Sequence, residues 1–244
     1  MTQRDYLAGF GNEHMSEAVK GALPIGQFSP QQVPFGLYTE KFSATAFTAP
    51  RVENRRTWFY RIRPSVLHGE FNLVAQSSLL TAPIKDVITP PNQLRWDPID
   101  IPLQPTDFID GLVTIVANGD SAVQLGMAAH LYLANKSMGK RYFFCADGEW
   151  LIVPQHGAIT IRTECGVLDV TPGEIALIPR GMKFAVDLTD ETARGYVCEN
   201  YGHQFRLPER GPVGSDGYAN DRDFFAPVAA FEDLEGDYEL LCKF

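Results

Sequence analysis

The sequence predicts an all-β protein, a β-sandwich or barrel that carries an extended N-terminal arm and few short helices. Beyond residue 111, short strand-like runs follow one another closely and are separated by Gly, Pro and Asp turns, a pattern typical of all-β domains. Near the N-terminus, several prolines lie too close together for long helices. We therefore divide the chain into an arm (residues 1–66), a connector (67–110) and a β-rich domain (111–244).

The strands of the β-rich domain are predicted from alternating or β-branched runs that end at turn residues. These runs are Leu112–Ala117, Ala128–Leu133, Arg141–Phe144, Glu149–Pro154, Ala158–Thr163, Gly166–Val170, Glu174–Pro179, Phe184–Leu188 and Gly195–Asn200. A Gly-rich loop at Gly211–Asn220 follows, and Tyr238–Phe244 is a further predicted strand.

The arm and the connector are expected to have less regular structure. Within the arm, Arg55–Arg63 alternates like a strand, with Trp58, Tyr60 and Ile62 on one face. The arm has too many apolar and aromatic residues for a disordered tail, so it is expected to wrap its own domain or a neighbouring subunit. These residues are Phe10, Phe28, Phe35, Leu37, Tyr38, Phe42 and Phe47. In the connector, turn signals such as Thr89-Pro90-Pro91-Asn92 leave little room for strands.

Composition and charge exclude several classes of protein. A formal charge of −9 argues against a general nucleic-acid surface, which would need a basic footprint. No apolar run approaches the roughly 20 residues that span a bilayer, and the first residues have no apolar stretch of signal-peptide type, so we expect no membrane association and a cytoplasmic location. The cysteines are too widely spaced for a zinc site or a compact disulfide framework. They are Cys145, Cys165, Cys198 and Cys242.

The β-rich domain contains the spacing of a known barrel motif. Gly173, Pro179 and Gly181 lie at the intervals of the second motif of the cupin family, which this region resembles. The histidine of that motif falls on Phe184 and its asparagine falls on Leu188. The resemblance implies a cupin-like β-sandwich in which this ligand position holds an aromatic ring.

The first cupin motif is altered in the same way. Its glutamate corresponds to Glu149, while its two histidines fall either on Tyr142 and Phe144 or on Phe143 and Cys145. Metal sites of this kind use imidazole nitrogens with one carboxylate and leave positions open for substrate and oxygen. Aromatic rings provide no such ligands, so we expect a metal-free barrel around Tyr142, Phe144, Glu149 and Phe184, and no metal held by this chain.

The histidines offer no replacement ligand set. None has a second histidine or an acid at the spacing that places two ligands on one face, and an isolated histidine is more often a core or surface residue than a ligand. We therefore expect structural roles for all of them. They are His14, His68, His130, His156 and His203.

Longer blocks of sequence resemble the homogentisate 1,2-dioxygenases, and they extend over essentially the whole chain. These blocks are Tyr6–Glu13, Gly21–Gln27, Gly36–Glu40, Thr45–Arg51, Asn54–Ser65, Pro91–Trp96, Asp147–Glu149, Ile178–Phe184 and Asn220–Phe224. The resemblance implies an iron-dependent enzyme of tyrosine and phenylalanine breakdown, which opens the ring of homogentisate with O2 to give maleylacetoacetate. It also implies a homo-oligomer, a trimer or hexamer.

The resemblance further implies that this chain is the N-terminal part of the enzyme. The family holds Fe(II) through two histidines and one glutamate in its second β-sandwich half, so the iron ligands and all catalytic residues are expected outside this chain. The chain alone is therefore expected to be inactive. The rival interpretation is a non-enzymatic, metal-free cupin that serves as a binding or structural module.

One segment carries the candidate substrate contacts. Arg141–Glu149 is similar to a loop that approaches the active site of a neighbouring subunit in hexameric family members, which makes Tyr142 and Cys145 the candidate substrate-binding residues. Many relatives have Asn where this chain has Cys145. The alternative is that Tyr142, Phe143 and Phe144 belong to the barrel core. A group of arginines could also attract an anionic aromatic acid, although ion pairs are the commoner role. They are Arg51, Arg55, Arg56, Arg61 and Arg63.

Overall fold

The fold is all-β, as the sequence predicts. The computed structural model describes residues 4–9, 15–24, 33–45, 48–50, 53–75, 78–85, 88, 90–206, 208 and 220–244. Its strands are β1 (Tyr6–Ala8), β2 (Tyr38–Ser43), β3 (Arg56–Arg61), β4 (Leu112–Asp120), β5 (Leu125–Ala134), β6 (Arg141–Cys145), β7 (Glu149–His156), β8 (Ile159–Thr163), β9 (Gly166–Val170), β10 (Ala176–Ile178), β11 (Phe184–Leu188), β12 (Ala193–Asn200), β13 (Phe225–Pro227) and β14 (Glu239–Lys243).

Helical structure is limited to short turns in the described part of the chain. Single 3-10 turns occur at Pro34–Gly36 and Asp221–Asp223. No helix in these ranges is both long and apolar enough to cross a membrane. The expectation of few short helices is confirmed.

Two five-stranded sheets form the sandwich. One has the order β10-β7-β12-β5-β4 and the other has the order β14-β6-β11-β8-β9. Neighbouring strands run antiparallel, except that β14 runs parallel to β6 and places Lys243 opposite Cys145. The last strand of the described chain therefore lies beside the strand that carries the candidate substrate contacts.

The predicted strands agree well with the observed ones. Gly166–Val170 and Phe184–Leu188 have the predicted bounds. The run predicted at Glu174–Pro179 is shorter, because Glu174 closes a turn in which its carboxylate accepts hydrogen bonds from the backbone N–H and the hydroxyl of Thr171. That turn needs a glycine at position 173, where φ is +101°.

The described part of the arm lies across its own barrel. Strand β1 pairs with β13, and β2 pairs with β3 over their full lengths. Phe42 and Phe59 pack against the barrel core. Arg61 forms ion pairs with Glu40, at 2.6 Å, and with Glu164 on the barrel, at 2.8 Å. Three of the aromatic arm residues, Phe10, Phe28 and Phe47, are outside the described residues.

Between the sheets lies a cluster of aromatic rings. Phe143 contacts Trp150 and Phe184 at centroid distances of 4.9 and 5.6 Å. Phe108, from the end of the connector, contacts Tyr132 at 4.8 Å and is fully buried. Tilted and edge-to-face contacts of this kind stabilise a core beyond simple burial of area. These rings fill the space in which a cupin ligand set would lie.

Truncating the central ring tests this description of the core. Phe184→Ala removes a side chain that is 1% exposed and leaves a cavity among three other rings. We expect the free energy of unfolding to fall by about 3 to 5 kcal/mol, measured by urea denaturation. The control is Phe231→Ala, because Phe231 is 57% exposed. A loss below about 1 kcal/mol for Phe184→Ala would contradict the packed core.

Candidate functional site

Strand β6 decides between the two alignments of the first cupin motif. Phe143 and Cys145 are buried and face the space between the sheets, whereas Tyr142 and Phe144 are only partly buried on the opposite face. The expectation that Tyr142 and Phe144 line the barrel interior is therefore wrong. The reason is strand alternation, which sends neighbouring side chains to opposite faces. Phe184, directly opposite Phe143, faces inward as expected.

Outside the core, Tyr142 takes part in a polar cluster. Its hydroxyl donates to the Glu232 carboxylate at 2.9 Å and accepts a hydrogen bond from the Arg162 guanidinium. Burial, reinforced by Glu232, raises the pKa of Tyr142 to about 12. The phenol is therefore neutral at physiological pH.

At the C-terminal end of β6, Cys145 joins a network of buried polar side chains centred on Glu199. This carboxylate is fully buried in β12. One of its oxygens, Oε2, lies 2.9 Å from Nε2 of His130, whose Nδ1 lies 2.9 Å from the hydroxyl of Thr114. The other oxygen accepts hydrogen bonds from the Cys145 thiol at 2.9 Å and from the Lys243 ammonium at 2.8 Å. Both oxygens of Glu199 are thus hydrogen-bonded without water.

A second carboxylate meets the same ammonium. Lys243 Nζ donates to Asp147 Oδ2 at 2.7 Å, and the Thr81 hydroxyl donates to the same oxygen at 2.9 Å. The Lys243 residue is 8% exposed. The parallel pairing of β14 with β6 carries its side chain to this position. One buried cation therefore lies between two buried carboxylates.

The network fixes the charge of its members. Burial alone would favour the neutral acid of Glu199, but hydrogen bonds from His130, Lys243 and Cys145 outweigh it and lower the pKa of Glu199 to about 2. Burial also opposes the charged form of Lys243, yet the two carboxylates raise its pKa above the ordinary value. Burial and the neighbouring Glu199 raise the pKa of the Cys145 thiol well above its usual range. Lys243 and Glu199 are thus ionised, and Cys145 is an unreactive thiol.

A comparison with known protein families decides the family. The sequence profile described as "Homogentisate 1,2-dioxygenase N-terminal" matches residues 5–244. The chain belongs to this homogentisate 1,2-dioxygenase N-terminal family.

Solved structures with similar barrels cover only part of this family member. A cupin-2 domain protein from Shewanella frigidimarina has 16% identity and a TM-score of 0.27, covering 30% of this chain and 70% of that chain. A putative ethanolamine utilization protein Q from Salmonella typhimurium has 15% identity and a TM-score of 0.30, covering 37% and 68%. Pac13, a nucleoside dehydratase from Streptomyces, has 6% identity and a TM-score of 0.31, covering 38% and 70%. At these scores their activities have no bearing on this chain.

Iron, which the homogentisate dioxygenase family implies, does not fit the described residues. A two-histidine, one-carboxylate site with open positions is the arrangement for such chemistry. Within the described ranges, the one group with ligand atoms close enough for a metal is Cys145, Asp147 and Glu199, whose atoms lie within 4.8 Å of one another. The Lys243 ammonium already bonds to both carboxylates of that group. A metal ion there would meet a fixed positive charge and a protonated thiol.

Glu149, which corresponds to the glutamate of the first cupin motif, lines a pocket outside the aromatic core. Its carboxylate accepts a hydrogen bond from the backbone N–H of Phe205 at 2.8 Å. Burial raises the pKa of Glu149, against the opposing charges of Arg180 and Arg55. Glu149 thus belongs to a pocket between the arm and the barrel, apart from the Glu199 network.

Sequence motifs do not reveal the Glu199 network, because its residues are far apart in the sequence. Strand alternation offers a signal that would have found part of it. Glu199 shares a face of β12 with the buried Val197, and Lys243 shares a face of β14 with Leu241. An acid and a base at inward positions of two strands indicate a buried pair.

Removing the buried cation tests the network. In Lys243→Met, the carboxylates of Glu199 and Asp147 lose their common partner while an unbranched side chain that is only one atom shorter remains. Leaving buried charge uncompensated typically costs about 3 to 5 kcal/mol, so we expect the free energy of unfolding at pH 7 to fall by that amount in chemical denaturation. Lys85→Met, at an exposed position, is the control and should change stability by less than about 0.5 kcal/mol.

The pH dependence of stability, compared between wild type and Lys243→Met, provides a second test of the network. The folded-state pKa of Glu199, about 2, is below the ordinary value of about 4.3. Its stabilising contribution is therefore present above the ordinary value and is lost as the pH falls toward 2. The stability gap between wild type and Lys243→Met should be widest at neutral pH and narrow on acidification. A gap that is absent at pH 7, or constant with pH, would contradict the network.

Proposed function

We propose that this chain is the N-terminal part of a homogentisate 1,2-dioxygenase, which cleaves the ring of homogentisate with O2 to give maleylacetoacetate in tyrosine and phenylalanine breakdown. The observation that carries the proposal is the family match over residues 5–244. The Fe(II) of the enzyme is proposed to be held outside this chain, since the described residues do not supply its ligand set. A cytoplasmic location belongs to the same proposal.

The proposed role of this chain is to build a rigid scaffold beside the reaction centre. Aromatic rings and the ionised network of Glu199 and Lys243 fill the interior of its barrel. Such a core resists deformation, because buried polar groups that are fully paired favour one arrangement. A rigid support is what positioning of substrate groups requires.

Within this scaffold, Tyr142 and Cys145 are the proposed substrate contacts, because they lie on the segment proposed to approach the active site of a neighbouring subunit. The Tyr142 hydroxyl is shared between Glu232 and Arg162, so it is oriented and neutral. The Cys145 thiol is directed inward to Glu199. A contact through Cys145 would therefore require its side chain to turn outward, whereas Tyr142 already lies on the outer face of β6.

The parent enzyme is proposed to be a homo-oligomer. The outer face of the sheet that contains β7 and β12 carries apolar side chains which meet from strand to strand, and several are exposed. A contiguous apolar face of this kind is typical of an interaction surface. Its residues are Leu177, Leu151, Cys198, Ala129, Val116, Tyr196 and Met127.

The second candidate function is a metal-free cupin that acts as a binding or structural module without catalysis. It is favoured by the way the described barrel is filled, since rings and an ammonium group take up the interior. Membership of the homogentisate 1,2-dioxygenase N-terminal family favours the dioxygenase function. A measurement of oxygen consumption distinguishes it from the non-catalytic module.

Oxygen uptake on addition of homogentisate tests the proposal. The purified 1–244 chain alone should show no uptake above a metal-only control. Mixing it with a separately expressed C-terminal half and ferrous iron should restore uptake well above that of either half, because activation of O2 and substrate requires the metal site. Light scattering on the active mixture should give the mass of an oligomer.

Two results would overturn the proposal. Uptake by the 1–244 chain alone would mean that the metal site has been placed wrongly. A C-terminal half that reaches full activity without this chain would favour the independent binding module.

A further inference from the structure

The segment Arg141–Glu149, which carries the proposed substrate contacts, crosses from one sheet to the other. It consists of β6, the turn at residues 146–148, here called the β6–β7 turn, and the first residue of β7. Strand β6 pairs with β14 and β11, whereas β7 pairs with β10 and β12. In a hairpin, the ladder between the two strands fixes the turn that joins them. The described sheets contain no ladder between β6 and β7, so other contacts must hold the β6–β7 turn.

Strand β6 is supported mainly by β14. It pairs with β14 over Glu239–Lys243. The pairing of β6 with β11 in the described chain consists of one position, Phe143 opposite Phe184. At the end of β14, the Lys243 ammonium bonds to carboxylates outside this pair of strands. The position of β6 therefore depends on what holds Lys243.

The backbone of the β6–β7 turn is bonded and closely packed. The N–H of Ala146 donates to the carbonyl of Lys243 at 2.9 Å, and the N–H of Gly181 donates to the carbonyl of Cys145 at 2.8 Å. Gly148 has no room for a side chain, since a Cβ there would lie 2.5 Å from a backbone oxygen of β12. The β6–β7 turn therefore has little freedom to move while its neighbours stay in place.

Side chains connect the same segment to three other parts of the fold. The Cys145 thiol donates to Glu199 in β12 at 2.9 Å. Asp147 accepts hydrogen bonds from Lys243 in β14, at 2.7 Å, and from the Thr81 hydroxyl in the connector, at 2.9 Å. Loss of the Thr81 bond would leave the Asp147 carboxylate paired with the Lys243 ammonium. The Thr81 hydroxyl can therefore be removed without leaving a buried charge uncompensated.

We propose that Lys243 and Thr81 are positioning residues, which act through Asp147 to hold Arg141–Glu149 in the place from which its side chains meet the substrate. The proposal rests on the proposed dioxygenase function and deepens it. Lys243 is 8% exposed and acts on the segment from inside the barrel. Support of this kind matters for catalysis, because a displacement of about 1 Å caused far from the chemistry can lower a rate about 100-fold.

A role in stability alone predicts a different result. It would make the loss of any similar hydrogen bond equally harmful, wherever that bond lies. Thr160 provides the comparison, because its hydroxyl donates to the Asp169 carboxylate at 2.7 Å between β8 and β9, outside Arg141–Glu149. Thr81→Val and Thr160→Val each remove one hydroxyl that donates to a carboxylate, and so they form a matched pair.

Amide hydrogen exchange in the 1–244 chain, followed by NMR, tests the structural part of the proposal. Thr81→Val should accelerate exchange of the Ala146 and Gly148 amides about tenfold, because a hydrogen bond to a charged group is lost beside them. Thr81→Ser keeps the hydroxyl and should exchange like wild type. Thr160→Val should leave both amides unchanged, and Lys243→Met should accelerate them more than Thr81→Val does. Wild-type exchange of these amides in Thr81→Val would overturn the proposal.

Oxygen uptake by the full-length parent enzyme at increasing homogentisate concentrations tests the functional part. Thr81→Val should raise KM about threefold or more and change kcat less than about twofold, the pattern expected when contacts made equally in the ground and transition states are weakened. Thr81→Ser should restore the wild-type KM. Thr160→Val should have the wild-type KM as well, because its lost bond lies outside the segment.

The outcomes separate the two proposals. An active parent in which Thr81→Val has the wild-type KM would refute the positioning role and leave the dioxygenase function intact. Equal increases of KM in Thr81→Val and Thr160→Val would also refute it, because they would indicate a general loss of stability. A wild-type parent that takes up no oxygen with homogentisate would refute the dioxygenase function, and the positioning role with it.

Discussion

The bonds of the buried Lys243 ammonium to the carboxylates of Asp147 and Glu199 are the interaction on which the polar part of the barrel interior depends. Removing two carboxylates from water is unfavourable unless a cation and enough hydrogen-bond donors accompany them. Here His130, Cys145 and Thr81 supply the remaining donors and close the network. The same ammonium bonds to both carboxylates of the group formed by Cys145, Asp147 and Glu199, and its positive charge opposes the entry of a metal ion there.

The arrangement of the strands brings these charged groups together. Strand β14 runs parallel to β6, against the antiparallel rule of the other neighbouring strands, and its register places Lys243 opposite Cys145. The turn between β6 and β7 contains Asp147 and ends at Glu149, so one short segment contributes both to the buried network and to the pocket between the arm and the barrel. The proposed substrate contacts, Tyr142 and Cys145, lie on the strand that leads into that turn.

The sequence is sufficient for local structure and for the family, and insufficient for side-chain partners. Alternation and turn residues predict β9 and β11 to the residue, because the information for a strand is local. Motif spacing places an aromatic ring, Phe184, at one ligand position but leaves two alignments for β6, and the structure selects Phe143 and Cys145 as the inward pair. The pairing of Lys243 with Glu199 depends on which strands become neighbours, which is a property of the whole fold.

The central claim, that a buried and protonated Lys243 lies between the carboxylates of Asp147 and Glu199, is tested most directly by NMR of lysine side-chain nitrogens in the 1–244 chain. We expect one ammonium signal with slow hydrogen exchange at neutral pH, because its hydrogens are bonded to carboxylates and shielded from water. This signal should disappear in Lys243→Met and remain unchanged after treatment with a chelator. Its absence from the wild-type spectrum, together with stoichiometric metal that a chelator removes, would contradict the account.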